Sequence, residues 1–378
     1  MLYIQQMKYS KVVICLLLLT VFRINTYAQS PAKPIRVAVA GITHGHSTWI
    51  LGRKDKGDLV LTGIYERDTS LWQQYIQRYN LDRSLFYPDL NKMLDAVKPE
   101  AVLAFGSVNQ HVKVVESCAP RGIHVMVEKP LATTKEQAEK MQQLAKKNNI
   151  HLLTNYETSW YPTTEKTYQL VRDSSFAGKI TKAVFHHGHE GPKKIHVSEE
   201  FFSWLTDPVE NGGGALIDFG CYGANIMTYL MQETAPVSVT AVTQHLQPDI
   251  YPKVDDEATI VVTYPSAQCI IQASWNWPFG RKDMEVYGED GYVITADNTN
   301  MRLRNRKMKE EQKMKADTSD VHIYTDPFAY FLDVIRGRIK VPSYGLYSLE
   351  NNVRVVRILD AARESAKTGK TVFLTGNK

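Results

Sequence analysis

Three short stretches carry side chains that could do chemistry together. The first, "VMVEKPLATT", ends an apolar run with Glu128, Lys129 and Pro130. A lysine at a sheet's carboxyl edge, beside the crevice where ligands bind, is placed for proton work on a hydroxyl or carbonyl. Its ordinary pKa is far too high for a base, and partial burial with a nearby nicotinamide cation would lower it toward neutrality. The second, "GGGALIDFGCYGAN", sets Asp218 and Tyr222 at i and i+4, so that a carboxylate and a phenol share one helical face and could hold a substrate hydroxyl. Each has a plainer alternative: a lysine that merely caps a strand end, and a tyrosine bonded to a carboxylate inside a packing face.

The third stretch is "VAVAGITHGHSTWI", a strand, a glycine turn and a helix start. N–H groups at such a helix start could hold an anionic pyrophosphate. The G-x-G-x-x-G spacing is broken, because with Gly41 first the second and third places hold Thr43 and His46. Thr43 adds a side chain where backbone should approach the pyrophosphate, and His46 crowds a helix-to-sheet contact normally left to a small residue. Gly45 permits a shifted turn, which would aim His44 and His46 at a nicotinamide or a substrate. The following strand ends in Glu66 and Arg67: the carboxylate suits ribose hydroxyls, the guanidinium a 2′-phosphate, and NAD and NADP both stay open. An ordinary turn without a ligand is the alternative.

"HHGHEG" (186 to 191) places His187 and His189 on one face of a strand. No partner carboxylate has metal-ligand spacing, so no metal is assigned and both histidines are read as lining the substrate site. Trp275 and Trp277 offer flat faces to a sugar ring or to a subunit interface.

The elements that must position these groups come in two styles. Between 34 and 155, apolar runs at 35–40, 59–65, 101–105, 124–128 and 151–155 alternate with helical stretches at 71–80, 90–97, 112–120 and 135–149, the last opened by a capping box at 133–136. Alternating βα units make an α/β, doubly wound parallel sheet. Between 156 and 375, strand-like runs at 180–189, 237–246, 256–265, 267–277, 282–290 and 291–297 follow one another through short turns, and a helix at 349–367 closes the chain. This predicts an α+β domain with a large, mostly antiparallel open sheet.

With 43% hydrophobic and 22% charged residues and a net charge of +5 spread along 378 residues, the composition is that of a globular chain without a nucleic-acid patch. The basic run at 301–315 is interleaved with acid and reads as a solvated strand and loop. Residues 1–28 read as a signal peptide: Lys8 and Lys11, an apolar stretch over 12–22 too short to span a bilayer, then Thr26-Tyr27-Ala28. An exported, periplasmic protein without a membrane span follows. Cys118, Cys221 and Cys269 have neither paired nor zinc-type spacing.

"EKPLATT", "TDPVENGGGALIDFGCYGANIMTYLM" and "EVYGEDGYV", in that order, resemble the Gfo/Idh/MocA oxidoreductases over about 34 to 374. The resemblance implies a Rossmann domain followed by an open sheet used for substrate binding and homo-oligomer contacts. It implies hydride transfer between NAD(P) and a carbohydrate-like carbinol. Carried onto this chain, Lys129 would polarise the hydroxyl or shuttle its proton, and Asp218 would orient the lysine or the sugar. Tyr222 stands where many members have histidine; a phenol is the poorer base, so it would act by hydrogen bonding or relay. Cofactor contacts would come from Gly41, Ile42, Thr43, His44, Gly45, His46, Glu66, Arg67, Gly106, His111, Glu128 and Lys129. Substrate contacts would come from Lys129, Tyr156, His187, His189, Asp218 and Tyr222.

The leading expectation is an NAD(P)-dependent oxidoreductase acting on a sugar or sugar derivative. The alternatives are an NAD-dependent glycoside hydrolase working by transient oxidation and elimination, and a sugar-binding module with a decayed cofactor loop. Export is tested by sequencing the mature N-terminus from a periplasmic fraction: it should begin at Gln29, and a protein retaining Met1 or Met7 contradicts it.

Overall fold

Ile35–Ala40 (β1) reads IRVAVA and is buried at all but one position, as a strand covered on both faces must be. It lies centrally in a parallel sheet with Leu59–Tyr65 (β2), Phe86–Tyr87 (β3), Ala101–Ala104 (β4), His124–Glu128 (β5) and Leu152–Asn155 (β6), in the order β3-β2-β1-β4-β5-β6. The order reverses between β1 and β4, and the carboxyl ends flanking that switch point are where α/β sheets bind ligands. The computed structural model describes residues 33–374. The expected signal peptide lies outside them.

The helices between the strands fall where apolar spacing places them. Lys135–Asn148 is opened by Thr134, whose hydroxyl accepts the Gln137 N–H at 3.3 Å. The Gln137 side-chain carbonyl accepts the Thr133 N–H at 3.2 Å, so the reciprocal member of this cap is Gln137 rather than Glu136.

The second sheet has nine strands: Ile180–Gly188 (β7), Ser238–Gln244 (β8), Glu257–Thr263 (β9), Gln268–Ser274 (β10), Arg281–Gly288 (β11), Gly291–Thr295 (β12), Asn300–Asn305 (β13), Gln312–Lys315 (β14) and Val372–Phe373 (β15). Its order is β14-β13-β12-β11-β7-β10-β9-β8-β15, antiparallel except where β7 meets β10. The basic run at 301–315 supplies β13 and β14, an exposed hairpin at one edge.

The helix Gly220–Met231 is buried at every position but Tyr229 and lies against this sheet. Gly223 lets it do so, since a Cβ there would stand 2.8 Å from the Ile271 side chain. The expected single helix carrying Asp218 and Tyr222 is broken: Ala215–Asp218 ends at Phe219 before Gly220–Met231 begins. Two helices that sequence spacing assigned no role also shape the site. Pro327–Ile335 packs Phe328 and Phe331 into the same core as β1, and Glu199–Leu205 brings Phe201 and Trp204 over the β1 turn.

Gly41 is a point of close backbone approach at the parallel sheet's ligand edge. Its φ is +80°, and a Cβ would lie 2.6 Å from the Gly106 nitrogen. Gly41→Ala is expected to lower unfolding free energy by about 1–3 kcal/mol in a urea titration, from backbone strain plus displacement of Gly106; an unchanged midpoint contradicts this packing.

Candidate active site

Lys129 leaves the end of β5 pointing inward and is only 7% exposed. Its Nζ donates to a carboxylate oxygen of Asp218 and, at 3.1 Å, to the Asp218 carbonyl. The other carboxylate oxygen accepts the Trp275 indole N–H at 2.9 Å. Trp275 is fully buried, which corrects its expected use as a sugar platform or interface residue. The ammonium also lies 5.1 Å from the Tyr222 ring centroid and 5.7 Å from that of Phe219, as a desolvated cation favours.

This pairing reverses the expected titration of Lys129. Burial alone would push its pKa down, but the facing Asp218 carboxylate more than compensates and holds it above the ordinary lysine value. Burial would raise Asp218, and Lys129 brings it below the ordinary carboxylate range. The pair favours Lys129 as an ammonium and a hydrogen-bond donor. The turn that presents Asp218 is braced by Asp255, whose carboxylate accepts the Gly214 and Leu216 N–H groups at 3.0 and 2.7 Å.

Around this pair the structure gathers residues from both halves of the chain. The Tyr222 ring meets Phe219, Tyr156 and His187, with centroids 5.9, 5.5 and 5.8 Å away. Burial raises the Tyr222 phenol well above its usual range, so it stays protonated. His187 is fully buried on β7, and burial lowers its pKa to about 3. His189 falls just past the strand end, its Nδ1 accepting the Gly191 N–H at 2.9 Å and its ring edge-on to Phe219. Both His187 nitrogens, the Tyr156 hydroxyl and His111 Nε2 are buried without a hydrogen-bond partner among the described residues. Buried polar atoms left unpaired cost free energy, and a polar ligand arriving there would recover it.

Two site residues escaped sequence reasoning. Lys282, opposite His187 in the β7–β11 register, stands 5.4 Å from the Tyr222 centroid and is ion-paired to Glu157. Burial would raise Glu157, but Lys282 and the Tyr161 hydroxyl hold it below its ordinary pKa. Neither residue sits in a motif; the available signal was a pair of charges close to a predicted strand end and a predicted strand start.

At the β1 turn, Gly41 and Gly106 come together with no side chain between them, a cradle that a Cβ would fill. The Ile42 N–H donates to Glu66 at 3.2 Å, the His44 N–H to the Phe105 carbonyl at 2.9 Å, and the Ser47 N–H to the His44 carbonyl at 2.9 Å. Glu66 is buried and braces this turn, its other oxygen accepting the Asp68 N–H at 3.0 Å, while Arg67 is exposed. His46 does not crowd the helix-to-sheet contact as expected. Ser47 fills it, 1% exposed, its hydroxyl donating to the Ile42 carbonyl, while His46 turns toward Glu128 and stacks on Trp49. The Thr43 hydroxyl accepts the Trp204 indole N–H at 3.1 Å, and the His44 ring lies 4.6 Å from Phe201. His111, buried behind the turn, bonds through Nδ1 to the Leu131 carbonyl at 3.2 Å. The glycine cradle and the buried Glu66 fit a dinucleotide, with the helix Glu199–Leu205 covering one side of the loop.

Asp218→Asn would leave the Lys129 ammonium buried and unpaired. The expected cost is about 3–5 kcal/mol of unfolding free energy near neutral pH. Because the folded pKa of Asp218 is depressed, its contribution is present above the ordinary carboxylate range and fades as pH falls through the folded value. The wild type should therefore lose stability in acid more steeply than the variant, and parallel acid titrations would contradict the pairing.

Residues 35–156 match the family description "Oxidoreductase family, NAD-binding Rossmann fold", and residues 166–294 match "GFO/IDH/MocA C-terminal domain". The chain is 28% identical over 187 residues to trans-1,2-dihydrobenzene-1,2-diol dehydrogenase of Xenopus tropicalis, a match covering 49% of this chain and about half (52%) of that protein. It is 22% identical over 346 residues to myo-inositol 2-dehydrogenase of Thermotoga maritima, covering 90% of this chain and 94% of that one. The crystal structure of an inositol dehydrogenase homolog from Azotobacter vinelandii, complexed with NAD+, superposes with a TM-score of 0.78 at 18% identity, over 90% of this chain and 98% of that chain. The two-sheet fold, the Rossmann half and the companion half identify this chain as a member of the Gfo/Idh/MocA oxidoreductase family.

Proposed function

We propose that the protein is an NAD(P)-dependent oxidoreductase acting on a secondary hydroxyl of a sugar or polyol. The observation that carries this reading is the buried Lys129–Asp218 pair at the parallel sheet's carboxyl edge, with Tyr222 against its ammonium and Tyr156 and His187, whose polar atoms lack partners among the described residues, packed on the same Tyr222 ring. The family's dehydrogenases of dihydrodiols and inositols support the same class of substrate, a carbinol with neighbouring hydroxyls. Gly41, Gly106 and Glu66 would line the dinucleotide site, with the exposed Arg67 placed to meet a ribose phosphate.

A nicotinamide, when bound, supplies the hydride acceptor or donor. The chain's own work is electrostatic and geometric. Lys129 donates a hydrogen bond to the carbinol oxygen and stabilises the negative charge that grows there as the hydroxyl proton leaves. Asp218 keeps that ammonium charged and aimed, and the Trp275 indole keeps Asp218 in place. Tyr222, a neutral phenol, and His187, a neutral imidazole, position neighbouring hydroxyls without competing for the proton. The low-dielectric surroundings make each of these contacts stronger than it would be in water.

Homo-oligomer formation through the second sheet fits the apolar side chains exposed at and near its edge, Val242, Leu246 and Phe373. The function is tested by following reduced nicotinamide formation across a panel of aldoses and inositols. Lys129→Met leaves Asp218 unpaired, so it is compared with the wild type at matched folded fraction by near-ultraviolet circular dichroism, where kcat should fall by about 10²–10⁴-fold. Turnover within about twofold of the wild type would remove Lys129 from the chemistry.

A further inference from the structure

Beside the Lys129 pair stands a second cluster of titratable groups, His44, His46 and Glu128, whose donor and acceptor atoms lie within 4.8 Å of one another. Its hydrogen bonds run in one direction. The Trp160 indole can only donate, and does so to Asn155 Oδ1 at 3.0 Å; this fixes the Asn155 amide, whose Nδ2 donates to Glu128 Oε1 at 2.8 Å. The remaining oxygen, Oε2, faces His46 Nδ1 at 3.0 Å. Burial works against a charge on Glu128, but His46 and Asn155 outweigh it and bring its pKa to about 2. A carboxylate has no proton to give, so His46 Nδ1 carries the hydrogen and Nε2 the lone pair. Stacking on Trp49, at 3.8 Å between centroids, fixes the ring plane, and the side chain keeps 21% of its surface exposed.

The other groups of the site are committed elsewhere. Lys129 and Tyr222 hold their protons, Asp218 and Glu157 are paired to lysines, burial lowers His111 to about 4 and His187 to about 3, and His189 and His44 each accept a backbone N–H at Nδ1, which leaves the proton of the neutral ring on Nε2. The charged or titratable groups facing His46 are Glu128, His44 and Glu157. A carboxylate that orients an imidazole and balances its positive charge is the device that makes histidine an efficient proton acceptor in acyl-transfer enzymes.

We propose that the Glu128–His46 pair is the proton acceptor of this site, His46 Nε2 taking the proton released from the substrate hydroxyl. The proposal rests on the oxidoreductase reading. In the oxidation direction the carbinol C–H bond breaks with its electron pair passing to the nicotinamide. The O–H bond breaks with its proton passing to Nε2, and the carbonyl forms with its oxygen still hydrogen-bonded to Lys129. The imidazolium, neutralised by Glu128, returns the proton to solvent at its exposed edge. The same three side chains invite a divalent cation, but the His46 N–H donates into His44 Nδ1 at 3.0 Å. That backbone N–H occupies His44 Nδ1 and leaves the proton of the neutral ring on Nε2, so neither nitrogen offers a bare lone pair to a metal.

Nitrogen-15 spectra of the full chain labelled at histidine, assigned by loss of one signal set in His46→Gln, read the tautomer directly. A protonated Nδ1 and bare Nε2 are expected, with the preference weakened in Glu128→Gln. In steady-state assays His46→Gln should lower kcat by about 10²–10³-fold and keep nucleotide affinity. An Nε2–H tautomer, or a His46→Gln variant as active as wild type, overturns this proposal alone. Stoichiometric Co2+ binding that is lost in His46→Gln overturns it in favour of a metal site. A wild type that reduces no nicotinamide with any sugar or polyol overturns the oxidoreductase reading and this proposal with it.

Discussion

The structure of the site depends on one buried ion pair. Lys129 comes from the end of a parallel strand and Asp218 from a short helix beside the second sheet, and each is less than a tenth exposed. Neither charge would be tolerated alone at that depth, where desolvation costs several kcal/mol per ion. Together they fix each other's ionisation, and they tie the parallel sheet's ligand edge to the glycine-rich turn before Gly220–Met231. The companions of the pair follow from this constraint. Trp275 is buried because Asp218 needs its second oxygen satisfied, the half-buried Asp255 pairs the N–H groups of the turn presenting Asp218, and Tyr222 and Phe219 present ring faces to the ammonium.

The nucleotide end of the crevice is built differently. The β1 turn is held by Glu66 from below and by Phe201 and Trp204 from the side, and only one of its glycines, Gly41, is under steric compulsion. Moving the small residue of the helix-to-sheet contact to Ser47 frees His46 to leave the packing and meet Glu128. A loop that looks defective against the G-x-G-x-x-G pattern is thus a rearranged one, in which the residue that breaks the third glycine position gains a carboxylate partner.

Much of this was legible in the sequence. Strand and helix periodicity gave the parallel sheet and most of the second sheet, because apolar runs in doubly covered strands and alternation in open sheets are local properties. Lys129, Asp218 and Tyr222 were visible because they sit in short stretches with few ways to fold. Lys282 and Glu157 were not, since their meeting depends on the β7–β11 register, a long-range fact that no window of sequence contains. The carboxylate that opposes the effect of burial on Lys129 was not legible beside it, since Asp218 lies 89 residues away. The role of Ser47 and the helix Glu199–Leu205 were missed because small and aromatic residues carry no position-specific signal outside their packing.

The central claim is that hydride leaves a carbinol carbon held against Lys129 and is received by a nicotinamide in the crevice of the parallel sheet. The most direct measurement is single-turnover transfer of label from a polyol deuterated at its carbinol carbons, with the nucleotide recovered and weighed by mass spectrometry. Deuterium on the nicotinamide ring with the wild type, and none with Lys129→Met over the same interval, is the expected result. An unlabelled nucleotide from the wild type with every sugar and polyol tried, despite measurable nucleotide binding, would contradict the account.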